Sequence, residues 1–354
     1  MITSNKPDYQ SENNTISEDT GGQKKKNAAL NLEFINNYSG SAFIFLLIVQ
    51  VVTGMLLVFY YKGYPELAFE SVLHINSNVN SGWFIKSLHT AASNAMIICL
   101  MIYMLTMFLG KLYYDKEWSV WITGFILLLI SAASLFTGKL LPWSEASYYS
   151  TMTAVNYIGE IPLVGNFLRN VFTGGDKLSS ISLPRFYGLH ISVIPIIFII
   201  TLVIHLMTLH KGKVIIQNET LKNGNDRLYF PQTFLLRNLL IWALILAVMV
   251  PISIYTPWEP GNKMDELISE PKFEKPGWYF NFMLGGLNGG DSKLSSGGGN
   301  IISNIFIAAF VIFGIILPFV DKNTKDGKRS KLVLAAGAIL FLYFLSVTII
   351  GFLK

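Results

Sequence analysis

Residues 82–99 read GWFIKSLHTAASNAMIIC and open an apolar stretch that runs from Phe84 to Leu109. A helix needs about 20 predominantly apolar residues to cross a hydrocarbon core of about 30 Å, and this stretch is long enough. It contains His89, and an ionisable side chain inside a membrane span is costly and is by default a functional candidate. The segment therefore predicts a membrane helix that carries a functional histidine.

Six further apolar stretches flank this one. They run from Ala42 to Tyr60, Val120 to Leu140, Leu189 to Leu209, Phe234 to Tyr255, Ile301 to Phe319 and Leu332 to Phe352. Of the 354 residues, 52% are hydrophobic and only 14% are charged, whereas soluble domains average about 25% charged residues. We predict an all-α integral membrane protein with about seven transmembrane helices.

Polar segments divide the chain into four parts. Residues 1–33 are rich in Asn, Ser, Gln and Lys, and we expect them to form a disordered arm. Residues 34–212 carry four spans, residues 213–233 form a hydrophilic linker, and residues 234–354 carry three spans. The sequence thus predicts a four-helix bundle followed by a three-helix unit.

Basic residues concentrate on one side of the predicted helices. They precede span one and follow spans two, four and six, as Lys24, Lys25, Lys26, Lys111, Lys116, Lys211, Lys213, Lys222, Arg227, Lys322, Lys325, Lys328, Arg329 and Lys331. Cytoplasmic loops carry an excess of Lys and Arg, so we expect this side, with the N terminus, to be cytoplasmic in the cell inner membrane. Topology explains the net charge of +5 better than nucleic-acid binding does.

Three of the five histidines lie in spans. His89 and His190 each begin a span that starts on the outer side, so we expect their imidazoles at matching depth. His205 follows His190 by 205 − 190 = 15 residues, which places it about 22 Å deeper at 1.5 Å per residue. Neutral imidazole is an axial ligand of haem iron, so the pattern predicts haem b at two levels. For any single histidine, a hydrogen bond to a backbone carbonyl is the alternative.

Two glycine pairs repeat one spacing. Gly40 and Gly54 in span one, and Gly124 and Gly138 in span three, are each 14 residues apart. Each pair lies on one helix face at two depths, where the missing side chains let a flat macrocycle approach the backbone. Small residues also allow ordinary helix packing. Two pairs whose spacing matches the histidine levels favour two haem pockets, and Cys99, the only cysteine, excludes a C-x-x-C-H thioether attachment.

Several motifs then resemble one family. They are the stretch from Gly82 to Cys99, the LLPW of Leu140 to Trp143, the IPLVG of Ile161 to Gly165, and the PRFYGLH that ends at His190. Together they resemble cytochrome b of the quinol-oxidising bc and bf complexes over most of residues 34–354. The seven spans resemble a fused bf-like form, in which cytochrome b is joined to the three helices of subunit IV.

The resemblance implies specific haem contacts. An outer haem would be ligated by His89 and His190 and packed against Gly54 and Gly138. Lys86 and Arg185 would pair with its propionates. Lys86 stands where the family usually has Arg. An ammonium group, which acts as a single charge, therefore replaces a guanidinium group that could form two parallel hydrogen bonds with a propionate.

The resemblance also implies the partners. Family members oxidise quinol near the outer face, pass one electron to a Rieske iron–sulfur protein and then a c-type cytochrome, and send the other across the membrane through haem b. We therefore expect a subunit of a dimeric quinol:cytochrome c oxidoreductase, surrounded by lipid. Quinone is expected near Trp143, Tyr149 and Tyr279. His210 lies at the inner end of span four, where the family reduces quinone, and the alternative for it is a basic anchor at the membrane interface.

Position 103 departs from the family pattern. It carries Tyr103, 14 residues after the first histidine of its span, where the family has a second histidine ligand. Three readings follow: a five-coordinate haem on His205, a haem with Tyr103 or Met104 as its sixth ligand, or no inner haem. Gly40 and Gly124 favour retention of a haem.

The quinol-site motif P-E-W-Y departs as well. It reads Pro276, Gly277, Trp278 and Tyr279, so the proton-accepting glutamate is missing. Quinol oxidation releases protons, and the site needs a base within hydrogen-bond reach. We take Glu145, beside the retained Tyr279, as the first replacement candidate. Glu274 is the second, and the alternative for it is an exposed loop carboxylate without a role in the site.

Two other functions fit the residues. The departures support a membrane haem b subunit that exchanges electrons between quinone and c-type cytochromes without a Q cycle. A haem-poor scaffold or transporter, with histidines lining a proton path, is disfavoured by the matched histidine depth and the glycine pairs.

Overall fold

A computed structural model provides the structure of the chain. It describes residues 9–113, 118–175, 177–220, 230–265, 274–275, 277–280, 298–321 and 330–353, with the backbone alone for residues 9–31, 211–220, 230–234, 298–303 and 351–352. The helices are α1 (Tyr9–Val58), α2 (Pro65–Ser77), α3 (Gly82–Gly110), α4 (Trp118–Leu140), α5 (Glu145–Gly159), α6 (Gly165–Thr173), α7 (Ser182–Gly188), α8 (Ile194–Thr220), α9 (Phe230–Tyr255), α10 (Gly298–Val320) and α11 (Lys331–Leu353). A π-helical turn, Leu189–Val193, joins α7 to α8.

The described residues contain six helical segments that are long and apolar enough to cross a membrane. They are Leu32–Val58, Gly82–Gly110, Trp118–Leu140, Ser182–His210, Leu235–Tyr255 and Lys331–Ile350. The seventh predicted span corresponds to α10, whose described apolar part, Asn304–Val320, is shorter. With 23 residues in all, α10 is about 34 Å long at 1.5 Å per residue. The prediction of an all-α membrane fold is confirmed.

The start of α1 differs from the expected disordered arm over residues 1–33. The helix begins at Tyr9 and continues to Val58. Starting a helix is costly, whereas adding residues to an existing one is cheap, so a membrane helix can extend into polar sequence beside it. Composition alone does not reveal this extension.

Helices α1, α3, α4 and α8 form the bundle that carries the histidines. α1 packs along α3, α4 packs along α8, and α3 contacts α4. Large side chains fill the space between them, among them Phe43, Leu46, Leu100, Met107, Leu127 and Phe198. Isoleucines on the outside of α8 stay exposed, including Ile196, Ile199 and Ile200. Such an apolar outer surface suits lipid, which is as apolar as the side chains themselves.

The C-terminal helices pack on this bundle through indole hydrogen bonds. α9 contacts α1 and α3, and α10 contacts α4. Trp242 Nε1 donates to Ser41 Oγ at 3.0 Å, and Trp121 Nε1 donates to the Gly314 carbonyl at 2.6 Å. A Cβ at Gly314 would overlap the ring of Phe125, so only glycine lets α10 approach α4 this closely.

The two long outer connections are joined to each other. Met264 N–H donates to the Trp143 carbonyl at 3.1 Å, and Glu145 N–H donates to the Asn262 carbonyl at 2.9 Å. One connection belongs to the four-helix unit and the other follows α9. Backbone hydrogen bonds between them therefore fix the outer end of the bundle relative to the C-terminal helices.

We expect Trp121→Phe to lower the free energy of unfolding by about 1 kcal/mol, because the ring remains while the hydrogen bond to the Gly314 carbonyl is lost. Unfolding by a titration with sodium dodecyl sulfate in mixed micelles measures this change. Trp118→Phe is the matched control, since Trp118 also lies on α4 but is 46% exposed. Equal stability of the two variants would contradict the assigned role of this hydrogen bond.

Candidate functional site: paired histidines in the bundle

His89 and His190 face each other near the outer end of the bundle. Their ring centroids are 6.3 Å apart, with an interplanar angle of 79°. His89 lies on α3, and His190 lies in the π-helical turn Leu189–Val193. Single π-helical turns occur frequently at functional sites. The two outer histidines that the sequence places at matching depth are thus brought together.

Thr53 orients the ring of His89. The Thr53 hydroxyl donates to the Val49 carbonyl at 2.6 Å, and its oxygen lies 2.9 Å from His89 Nδ1. Because the hydroxyl hydrogen is used on Val49, the oxygen accepts from the ring, and we assign the imidazole proton to Nδ1. This leaves the Nε2 lone pair available as a ligand. Gln50 Nε2 also donates to the His89 carbonyl at 2.7 Å and so fixes the backbone.

His190 has the same arrangement on the other side of the gap. Its Nδ1 lies 3.1 Å from the Ser134 carbonyl oxygen, which can only accept, so Nδ1 carries the proton. Thr137 Oγ1 is a second partner at 3.2 Å. Second-shell hydrogen bonds of this kind fix the tautomer of metal-binding histidines. Metal–imidazole bonds are about 2.0–2.1 Å long, so the gap between the two rings accommodates one metal ion.

The two outer glycines lie directly against these rings. A Cβ at Gly54 would come within 3.3 Å of His89 Cε1, and a Cβ at Gly138 within 2.8 Å of His190 Cε1. Side chains at these positions would displace the imidazoles. The absence of side chains at these two positions therefore leaves the space that the imidazole rings occupy.

Two lysines flank the outer pair. Lys86 lies one turn before His89, and its Nζ is 3.7 Å from the ring centroid of Trp258, a cation–π contact. Lys139 lies beside Gly138 and interacts electrostatically with Glu274; the sequence analysis did not single it out. Both cations suit carboxylate groups of a ligand.

Arg185, predicted together with Lys86 to pair with the haem propionates, lies against a different part of the chain. Its side chain is exposed and lies over Gly174, whose φ of +78° ends α6 in a left-handed conformation. Any Cβ at Gly174 would overlap the guanidinium group. In this arrangement Arg185 packs on the outer surface.

The inner site brings Tyr103 and His205 into direct contact. The Tyr103 hydroxyl oxygen lies 3.0 Å from His205 Nε2, and Thr123 Oγ1 lies 2.8 Å from His205 Nδ1. Both side chains are only 5% exposed. A Cβ at Gly124 would be 3.0 Å from Met104 Sδ and 3.4 Å from His205 Cε1. The predicted inner residues are therefore neighbours, with a phenol opposite the histidine.

The retained part of the quinol-site motif forms a turn on the bundle. Trp278 Nε1 donates to Asn94 Oδ1 at 2.7 Å, which ties the turn to α3. Tyr279 is 8% exposed, and burial raises the pKa of its phenol. A Cβ at Gly277 would lie 2.6 Å from Tyr279 Cε1, so the Tyr279 ring occupies the space beside position 277. Pro276 lies outside the described residues.

The remaining predicted residues lie near the ends of the bundle. Trp143 is buried, and its ring packs on Tyr148 at 5.5 Å between centroids. Glu145 begins α5, and its Oε2 lies 3.5 Å from Asn262 Nδ2. His210 is exposed at the inner end of its span.

The sequence analysis missed the threonines that orient the histidines. Thr53, Thr123 and Thr137 each contact the Nδ1 atom of a different histidine. Each directly precedes a glycine, at positions 54, 124 and 138. The repeated Thr-Gly dipeptide is therefore a signal in the sequence: the threonine fixes a ring and the next residue leaves space beside it.

This fold and this site define a class: membrane proteins that hold paired histidines between the helices of a bundle. The family model described as Cytochrome b/b6/petB matches residues 24–213. A cytochrome bc complex cytochrome b subunit of Chlorobaculum thiosulfatiphilum is 30% identical over 315 residues, which cover 87% of this chain and 71% of that protein. The chain belongs to the cytochrome b/b6 family, whose members transport electrons within membranes.

A solved structure agrees on the fold. A chain of a hyperthermophilic respiratory Complex III matches with a TM-score of 0.65 and 19% sequence identity. The match covers 90% of this chain and 92% of that one. The shared architecture thus extends beyond the residues that the family model covers, into the C-terminal helices.

If the outer pair ligates haem, as proposed below, Thr53→Val should weaken haem retention about 10- to 100-fold, because the hydrogen bond that orients His89 is lost. The rate of haem transfer to an excess of a haem-scavenging apoprotein measures retention. Thr53→Ser keeps the hydroxyl and should retain haem as the wild type does. If the valine and serine variants lost haem at the same rate, Thr53 would have no role in orienting the ligand.

Proposed function

We propose that this chain is the cytochrome b subunit of a quinol-oxidising bc-type complex and that it binds haem b between His89 and His190. The observation that carries this proposal is the facing pair of imidazoles, each with its Nδ1 proton engaged and its Nε2 available. The similarity to a cytochrome bc complex subunit over 87% of the chain supports the assignment to such a complex.

The residues around the outer pair fit a haem. The two histidines would supply axial ligands, and Gly54 and Gly138 place no side chain against their rings. Lys86 and Lys139 offer positive charge to the propionates. When bound, the haem supplies a one-electron carrier, while the protein fixes the ligand tautomers and provides an apolar surrounding.

Quinol is proposed to bind beside the turn of residues 277–280. Phe280 of this turn packs on Phe136 of α4, with 5.6 Å between ring centroids. Phe136 directly precedes Thr137, the hydrogen-bond partner of His190. The turn is therefore close to the outer histidine pair, which favours short-range electron transfer from bound quinol. The neutral phenol of Tyr279 is suited to donate a hydrogen bond to a quinone oxygen.

Glu274 is the better-supported base for quinol oxidation. It lies three residues before Gly277 and interacts with Lys139, on the same end of α4 as His190's partners. Glu145 instead faces Asn262 at the start of α5. A base must reach the proton that it accepts, and Glu274 is only three residues along the chain from the turn beside which quinol is proposed to bind.

The assembly follows from the proposed chemistry. Neither an iron–sulfur ligand set nor a thioether-linked haem motif accompanies the single cysteine, Cys99. We propose that a Rieske iron–sulfur protein and a c-type cytochrome accept the electrons as separate subunits of a dimeric complex. The basic loops orient the chain with its N terminus on the cytoplasmic side of the inner membrane.

A non-bifurcating electron transfer between quinone and c-type cytochromes is the second candidate. The observation that favours it is the direct hydrogen bond between Tyr103 and His205 at the inner site. This hydrogen bond occupies the histidine that would ligate an inner haem. A Q cycle needs an electron carrier at that depth, whereas non-bifurcating transfer does not.

We expect His89→Ala to abolish the low-spin haem b signal and quinol-dependent reduction of the complex, because one axial ligand is removed. Optical and EPR spectra of the purified complex report both. His74→Ala, an exposed histidine on α2, is the matched control and should leave the spectrum unchanged. An intact low-spin signal in His89→Ala would refute the proposed ligand pair.

We expect Glu274→Gln to reduce quinol oxidation about 10²- to 10⁴-fold at neutral pH, the usual contribution of a general base. Steady-state quinol:cytochrome c activity of the complex measures the loss. Glu66→Gln, an exposed carboxylate on α2, should retain full activity. A loss confined to Glu145→Gln would assign the role of base to Glu145 instead.

A further inference from the structure

We propose that the inner site of this chain holds no haem, because Tyr103 closes it, and that the chain carries a single haem b at its outer site. This inference rests on the proposed function and specifies its cofactor content. It also selects one of the three readings that the sequence leaves open at position 103.

The proton positions at the inner site follow from Thr123. Its hydroxyl donates to the Ser119 carbonyl at 2.8 Å, so its oxygen accepts from His205 Nδ1 at 2.8 Å. The proton of neutral His205 is therefore on Nδ1, and Nε2 is the acceptor. The Tyr103 O–H donates to this Nε2 at 3.0 Å. The lone pair that iron would need is already engaged.

The distance leaves no room for iron between these two atoms. A metal with bonds of about 2.0–2.1 Å on each side would hold its two ligand atoms about 4 Å apart. The measured separation of oxygen and nitrogen is 3.0 Å. Insertion of iron would therefore have to break this hydrogen bond and separate α3 from α8 or turn the Tyr103 ring aside.

The outer and inner sites differ in the same structure. At the outer site, a Cβ on Gly54 would be 3.3 Å from His89 Cε1 and one on Gly138 would be 2.8 Å from His190 Cε1, so each glycine faces a different histidine ring. At the inner site, a Cβ on Gly124 would be 3.0 Å from Met104 Sδ and 3.4 Å from both His205 Cε1 and Tyr103 Cε1, and one on Gly40 would be 3.3 Å from the Tyr103 ring. A single phenol ring thus spans the gap between the two inner glycines, which is where a macrocycle would have to lie.

Further contacts hold Tyr103 in place. Asn36 Nδ2 donates to the Tyr103 carbonyl at 2.9 Å and lies 3.0 Å from Thr106 Oγ1. Asn36, Thr106 and Tyr103 are all buried. These hydrogen bonds link α1 to α3 next to the Tyr103 ring. They therefore fix the backbone of α3 that carries the phenol.

Ligation by Tyr103 itself is disfavoured by the same geometry. A tyrosine binds haem iron as the tyrosinate, so its proton has to leave. The atom beside that proton is His205 Nε2. If this nitrogen takes the proton, it can no longer ligate iron from the opposite side.

A single haem determines where the electrons go. Oxidation of one quinol to quinone releases two electrons and two protons. With no carrier at the inner level, both electrons leave on the outer side, where they reduce two molecules of a one-electron acceptor of the c-type cytochrome class. The protein then acts as a non-bifurcating quinol:cytochrome c oxidoreductase at the outer side of the membrane.

The test is the haem b content per polypeptide of the purified complex, measured by pyridine haemochrome together with an EPR spectrum. We expect one low-spin haem in the wild type and an unchanged content in His205→Ala. Tyr103→Phe keeps the ring and should also retain one haem. Tyr103→His restores an imidazole pair and should raise the content toward two.

Several results would overturn the proposal. Two haems in the wild type, or loss of a haem in His205→Ala, would mean that the inner site is occupied. One haem in Tyr103→His would mean that Tyr103 is not what closes the site. Absence of haem from the wild type would refute the proposed function as well, whereas two haems would leave that function standing.

Discussion

The hydrogen bond between a threonine hydroxyl and the Nδ1 of an imidazole is the interaction on which this bundle depends. A polar ring in the hydrocarbon core is costly unless its donor is satisfied within the protein. Thr53, Thr123 and Thr137 accept a hydrogen bond from the Nδ1–H of His89, His205 and His190, respectively. Each threonine hydroxyl donates its own hydrogen to a backbone carbonyl on the preceding turn of its helix. The contact fixes the tautomer of each ring with its proton on Nδ1, so Nε2 carries the lone pair.

From this common arrangement the two levels diverge. At the outer level two rings face each other across a gap, whereas at the inner level a phenol reaches the opposite nitrogen. The difference comes from one residue type, since tyrosine extends its oxygen further from the backbone than histidine extends its nitrogen. Replacing one histidine of a ligand pair by tyrosine can therefore give two side chains that hydrogen-bond directly to each other, within the same arrangement of helices.

Much of this architecture could be predicted from the sequence, because membrane helices leave long apolar runs and a fixed rise converts spacing into depth. The meeting of His89 with His190 follows from that arithmetic. The π-helical turn around His190, the position of Arg185 over Gly174 and the choice among readings at Tyr103 do not. They depend on helix register and on side-chain length across an interface, and spacing along one chain encodes neither.

The turn at residues 277–280 has a consequence for substitutions in this chain. Because the Tyr279 ring lies where any side chain at position 277 would begin, the two positions are coupled. A glutamate introduced at Gly277 would require the Tyr279 ring to move. Such a variant would therefore change the position of the phenol together with the charge, and its activity would report on both groups.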